Sequence, residues 1–175
     1  MNAPAPISTA KPPSRPSPPP RTRITLVALE VKIDLVAQYN PSQLQLDEGA
    51  SWSPSASSRD SVPPLEFSAT RPRSLSLELF FDAFEERDPA WRNVQTRYVA
   101  PLTRLTRVID PDGSEDKRRP PLVKVTWGTG LDSFVGVIES VSTKLTMFGE
   151  DGTPVRATCS VKLLEAHRAS LARTS

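Results

Sequence analysis

Few residues of this chain have the chemistry of a catalytic nucleophile or a general base, and they form no recognisable pattern. The one histidine, His167, follows the last predicted strand, and the one cysteine, Cys159, lies in the apolar phase of a strand. A Ser-His or Cys-His site needs both partners within hydrogen-bond reach. We therefore predict no catalytic residue, and we expect Cys159 to be a buried, unreactive thiol.

Sites for metals, cofactors and nucleic acids are not indicated either. One His and one Cys cannot supply a His/Cys zinc site within one chain. The acidic clusters at 85–88 and 115–116 are interpreted as solvated loop charge, and no glycine-rich phosphate loop is present. Basic residues 117–119 are offset by the acids before them, so they form no stripe for a nucleic-acid backbone. We expect no metal, no cofactor and no nucleic-acid partner.

Proline and positive charge are concentrated in the first residues. Of the 19 prolines in 175 residues, eight lie in residues 1–24, together with four cations and no acid. Without those four, 18 cations stand against 20 acids, a net charge of −2. We predict a Pro-rich disordered arm over 1–22, one domain over 23–166 and a polar tail over 167–175. Residues 15–21 contain Pro-x-x-Pro between arginines, interpreted as a flexible leader or, alternatively, a recognition motif.

Alternating apolar residues predict a mainly antiparallel β fold. Residues 24–37 are predicted to form a strand or hairpin, and their alternation places five residues on one face: Val27, Leu29, Val31, Ile33 and Leu35. Further strands are predicted at 65–67 with 73–84, at 122–127, at 134–148 and at 155–164. The turn residues at 149–154 predict a hairpin, and the Ser/Pro-rich stretch 50–64 predicts a loop in which Trp52 is a packing anchor.

One helix is predicted in the middle of the chain. Asp88 as N-cap and Pro89 are typical of a helix start, and Trp91, Val94 and Tyr98 follow at helical spacing. Pro101 is expected to end or kink this helix. A second apolar stripe follows it, formed by Leu102, Leu105 and Val108. The predicted fold class is mainly β with one inserted helix (α+β), arranged as a barrel or sandwich.

Five strings of residues resemble the tube-like baseplate proteins of contractile injection systems, phage-tail-like particles in which a contracting sheath fires a rigid inner tube. The strings are Gln38-Tyr39-Asn40-Pro41-Ser42, 64–67 leading to 73–82, 119–121 leading to 125–128, 134–141 and 148–157. The motif positions in them, with structural or assembly roles implied, are Gln38, Tyr39, Asn40, Pro41, Phe80, Phe81, Pro120, Pro121, Trp127, Gly136, Gly152 and Pro154.

The resemblance implies a split antiparallel β-barrel with a flanking helix and no catalysis. It also implies that six copies form a ring joining the spike complex to the first layer of inner tube, assembled in the cytoplasm and incorporated into the particle. Ser74, Ser76 and Glu78, or Thr143 and Lys144, are candidates for a lumen or intersubunit face. Many relatives continue into a peptidoglycan-binding module. Here about ten polar residues follow Glu165, so peptidoglycan binding is not expected, nor is membrane insertion.

Three alternatives stay open at this point. The chain could be a subunit of the inner tube itself, which belongs to the same class of structural protein. It could be a non-catalytic adaptor that acts through its Pro-rich arm. An enzyme ranks last, because no acid–base pair or metal constellation is visible.

Overall fold

Seven β-strands and one short helix make up the computed structural model, which describes residues 22–55, 62–88, 92–114, 117–128 and 131–166. The strands are β1 Thr25–Ala28, β2 Asp34–Val36, β3 Leu44–Pro54, β4 Leu65–Asp82, β5 Val123–Trp127, β6 Leu131–Phe148 and β7 Pro154–Glu165. Between β4 and β5, a π-helical segment, Gln95–Val99, runs directly into the α-helix α1, Ala100–Arg104.

The strands form one sheet in the order β2-β1-β5-β6-β7-β4-β3, and every neighbouring pair is antiparallel. The sheet encloses one apolar core but does not close, because β2 and β3 are its two edges. This arrangement confirms the predicted split antiparallel barrel with a single short helix.

The central strands β4 and β7 follow the predicted alternation. Leu75, Leu77, Leu79 and Phe81 are buried, while the residues between them face outward. On β7 the buried series contains Ala157, Cys159, Val161 and Leu163, paired in register with β4. One face of each strand lies on the core, so period-2 patterning alone identifies the buried side.

The prediction that alternate residues of 27–35 share one face is wrong. The buried residues of β1 are Leu26 and Ala28, with Ile24 just before it, whereas Leu29 is half exposed. The chain turns between Ala28 and Asp34, where Ala28 N donates to Ile33 O at 3.0 Å. This turn resets the alternation, so Leu35 on β2 is buried although it shared a sequence phase with Leu29. The hairpin itself is confirmed.

The helix prediction is confirmed in position and corrected in detail. Val94, Leu102 and Leu105 are buried, but Val108 is 42% exposed. Pro101 does not end the helix. It lies in the first turn of α1, directly after the π-helical segment. Pro89 and Trp91 lie outside the described residues, so the predicted start is untested. In the described part of the chain, no helix has the length and apolar character needed to span a membrane.

The stretch 50–64 is not a loop throughout, because residues 50–54 belong to β3. β3 continues along the first half of β4, beyond the point where β4 leaves β7. The projecting pair, residues 49–54 with 65–71, is called the hairpin arm below. At about 3.3 Å per residue it extends about 20 Å. Trp52 lies on it and is 58% exposed, so it does not anchor the core as predicted.

Candidate functional site

The motif residue Gln38 joins the segment after β2 to the end of β4. Its Nε2 donates to Asp82 O at 2.7 Å, and its Oε1 accepts from Asp82 N at 2.8 Å. The amide thus makes the two hydrogen bonds that a neighbouring strand would make to Asp82. It spans the split of the barrel between residues 44 positions apart in sequence.

Asn40 makes a similar pair of bonds on the other side of the split. Its Oδ1 accepts from Ile24 N at 3.0 Å, and its Nδ2 donates to Thr22 O at 2.9 Å. Asn40 therefore fixes the chain where it enters β1. Pro41, the next residue, is buried and has no N–H to continue a ladder.

Between these two amides, Tyr39 points to the surface and contacts Phe80 with ring centroids 5.7 Å apart. The Arg156 guanidinium lies 5.7 Å from the Phe80 ring centroid and bonds Asp82 Oδ2 at 2.6 Å from Nη2. Three motif strings thus meet here. We call this region, together with exposed Phe84 and Phe148, the aromatic end.

A groove of about 720 Å³ opens at the aromatic end. Tyr39, 51% exposed, and Phe84, 53% exposed, supply its aromatic lining. The charged lining consists of four carboxylates and two guanidiniums: Asp82, Glu85, Glu86, Asp88, Arg87 and Arg156. Within this set Asp82 pairs with Arg156, and Glu86 Oε1 accepts from Nη1 of the neighbouring Arg97 at 2.9 Å. Four carboxylates against these three guanidiniums leave the groove a net charge of −1 beside its aromatic wall.

The outward face of β4, β7 and β6 is covered by small polar side chains. Ser76 pairs with Lys162 and Lys162 with Ser140, while Ser160 lies between Glu78 and Ser142. Glu139 bonds Lys162 at 2.8 Å and raises the pKa of its amine. Lys144 shares this face, but Thr143 lies opposite Cys159 with Oγ1 and Sγ 3.6 Å apart, so the two predicted neighbours face opposite sides.

The hairpin arm carries an exposed apolar cluster. Trp52 pairs in register with Phe67, and their rings meet edge to face at 5.6 Å. Phe67 is 56% exposed and Leu65, two residues away on the same face, is 65% exposed. Apolar groups clustered on a projecting hairpin are typical of a protein–protein contact.

The root of the hairpin arm is held by a bidentate ion pair. Arg73 donates from Nη2 to Glu165 Oε1 at 2.6 Å and from Nε to Glu165 Oε2 at 3.0 Å. This carboxylate raises the pKa of the guanidinium further above its ordinary value. The pair joins β4 to the end of β7, where the arm separates from the rest of the sheet.

Four other motif positions serve packing. Phe81 is fully buried and stacks on Tyr98 of the helix at 4.6 Å. Pro121 is buried just before β5, and Trp127 at the end of β5 packs against the core. Gly136 lies beneath Leu164, and a Cβ there would overlap the Leu164 carbonyl.

The last three motif positions lie in turns or next to strands. Gly152, in the β6–β7 turn, has φ of +78°, which glycine adopts without strain. Pro154 begins β7 opposite Phe148. Pro120 is half-buried, and its carbonyl accepts a hydrogen bond from Arg119. The motif positions therefore do not form one cluster.

Across the described ranges, no three His, Cys, Asp or Glu side chains are grouped as metal ligands. Burial raises the pKa of the Cys159 thiol, which disfavours the reactive thiolate and confirms the buried position predicted for it. His167 lies outside the described residues.

The sequence did not reveal the charged partners that hold the ends of the strands. Arg156 meets Asp82 across 74 residues, and Arg119 meets Glu30 across 89 residues with Nη2 to Oε1 at 2.6 Å. Opposite charges next to predicted strand ends are a signal, but nothing local to the sequence says which charges pair.

The family comparison matches most of the chain. A family model described as contractile injection system tube protein covers residues 27–173. A search of curated proteins found no match.

Proposed function

The chain belongs to the contractile injection system tube protein family, and we propose that it forms the ring that starts the inner tube on the spike complex of the baseplate. In this proposal the ring is a hexamer, the protein acts without catalysis, and its function resides in its contacts with neighbouring subunits. The family assigns a structural part in an injection particle. The position at the spike is our proposal, supported by the five strings that resemble tube-like baseplate proteins.

The observation that carries the assembly proposal is the open sheet with its projecting hairpin arm. An edge strand such as β3 presents N–H and C=O groups that a neighbouring chain can pair with. The arm adds the exposed pair Trp52 and Phe67, beyond the sheet's own core. In a ring, the hairpin arm of each subunit contacts the next subunit, and each subunit is contacted by the arm of the one before it. The apolar cluster of the arm and the edge strand that it meets are then both covered.

The polar face of β4, β7 and β6 suits the wall of a channel. Its centre has small hydroxyl side chains at Ser76, Ser140, Ser142 and Ser160. Such a face makes few strong contacts with a passing cargo. We propose that it lines the lumen, and that the side-chain hydrogen bonds of Gln38 and Asn40 hold the two sides of each split barrel together behind it.

A second candidate in the same class of structural protein is a subunit of the inner tube itself. The family description fits this role as well as it fits the tube-starting ring. The two roles differ in copy number. A tube-starting ring contributes about six copies per particle whatever the tube length, whereas a tube subunit increases in proportion to the sheath protein.

The decisive experiment is quantitative mass spectrometry of purified particles, with isotope-labelled peptides of this chain and of the sheath protein as standards. A low ratio to sheath that falls as particles lengthen supports the tube-starting ring. A ratio near one favours the inner-tube subunit. Normal, complete particles from a strain lacking the gene would exclude both roles.

A further inference from the structure

The aromatic end has the features of a site for a proline-rich peptide. Such peptides bind grooves lined by aromatic rings, because the preformed polyproline helix loses little entropy on binding. Tyr39 and Phe84 supply exposed rings on the walls of the groove. Carboxylates outnumber guanidiniums in the lining, and Glu85 is exposed on the rim, whereas Glu86 is half-buried and paired with Arg97 at 2.9 Å. The rim therefore favours a peptide that also carries positive charge.

This chain contains such a peptide in its own first 21 residues. They contain eight prolines, Lys11, Arg15 and Arg21, and no acidic residue. The part nearest the fold, 15–21, reads Arg-Pro-Ser-Pro-Pro-Pro-Arg. Four prolines between two arginines match a groove with an aromatic wall and an acidic rim.

The first described residue, Thr22, places the start of this segment beside the groove. Asn40 bonds Thr22 O at 2.9 Å, and Asn40 directly follows Tyr39. In a polyproline helix, at about 3.1 Å per residue, the seven residues 15–21 reach about 22 Å from that point. A groove of about 720 Å³ lies within this reach.

We propose that residues 15–21 bind in the groove of the same chain, with prolines against Tyr39 and Phe84 and an arginine towards the exposed carboxylate of Glu85. The assignment rests on charge complementarity, on the aromatic lining and on the place where the segment joins the fold. It is independent of the role proposed in the injection particle.

The test is carbodiimide cross-linking of the full chain, which couples an amine to a carboxylate in contact with it. An Arg15→Lys variant keeps the charge and provides the amine. We expect an amide cross-link from position 15 to Glu85, found by mass spectrometry of peptides. In an equal mixture of ¹⁴N and ¹⁵N chains the cross-linked peptides should stay unmixed, because the contact is within one chain.

Glu85→Lys added to this variant should lower the cross-link yield to the groove at least fivefold, and 1 M salt should do the same. The matched control is Glu66→Lys on the hairpin arm, which should change the yield of the cross-link to the groove less than twofold. Phe84→Ser tests the aromatic wall with the carboxylates unchanged, and it should also lower the yield at least fivefold. Isotopically mixed cross-links, cross-links mainly to Glu66, or none above those of urea-unfolded chain would each overturn the proposal.

Discussion

Replacing Gln38 with alanine removes both hydrogen bonds that join the segment after β2 to the end of β4. The two bonds to Asp82 are 2.7 and 2.8 Å long. A hydrogen bond of this kind contributes about 0.5–1.5 kcal/mol net, so we expect a loss of about 1–3 kcal/mol in the free energy of unfolding. For a chain of this size, about 2 kcal/mol corresponds to a fall of about 4–8 °C in melting temperature.

The assay is thermal and urea unfolding of the full chain, at one protein concentration because assembly raises apparent stability. The matched control is Gln45→Ala. Gln45 is exposed, and its amide bonds the carboxylate of Asp47 in the same strand. Its loss should change stability by no more than about 0.5 kcal/mol.

Gln38→Glu separates the hydrogen bonds from the volume of the side chain. It keeps the acceptor for Asp82 N but places a carboxylate oxygen against Asp82 O, where the amide N–H was. At neutral pH we expect it to destabilise the chain at least as much as Gln38→Ala. If both Gln38 variants melt within error of Gln45→Ala, the amide does not hold the split barrel closed and the reasoning is wrong.

Three further predictions follow from other parts of the structure. Gly136→Ala should lower the free energy of unfolding by about 3 kcal/mol, because the new methyl group meets the Leu164 backbone, which has little freedom to move. An unchanged urea midpoint would contradict this prediction. Trp52→Ser should leave the melting temperature of the dilute chain within about 2 °C of the parent but weaken assembly about 30-fold by sedimentation, and unchanged assembly would exclude the hairpin arm from the interface. Deleting residues 1–20 should leave the far-UV circular dichroism spectrum unchanged and lower the melting temperature by no more than about 4 °C, because it removes the contact of the segment with the groove but no part of the core. A large loss of thermal stability would contradict the proposed division into arm and domain.

The sequence predicts a strand well where one of its faces is buried. On β4 the alternation from Leu75 to Phe81 names the core face residue by residue, because each buried position needs an apolar side chain. On β3 both faces are largely exposed beyond Asp47, so no such requirement acts. Serine, proline and glycine there suggested a loop, whereas backbone pairing with β4 makes it a strand.

The sequence predicted the motif residues of the candidate site, but not the groove lining at 84–88 and not the contacts between them. The motif at 38–42 identified Gln38 and Asn40 as important positions. Polar residues, however, follow no periodic pattern from which their hydrogen-bond partners could be predicted. Their bonds reach Asp82, 44 residues away, and Ile24, 16 residues away. Such pairings depend on how the whole sheet curves, which local patterning does not contain.

Residues 38–40 therefore contact two parts of the fold, the end of β4 and the start of β1. They can do so because successive side chains along an extended chain point in opposite directions. Gln38 and Asn40, two residues apart, direct their amides to the end of β4 and the start of β1, while Tyr39 between them faces the groove. Gln38 also lines the groove, but its amide is taken up by Asp82, whereas the Tyr39 ring is exposed to a bound peptide. Gln38→Ala should lower stability, whereas Tyr39→Ser should mainly lower the cross-link yield from position 15. Two variants one residue apart can therefore separate the two roles.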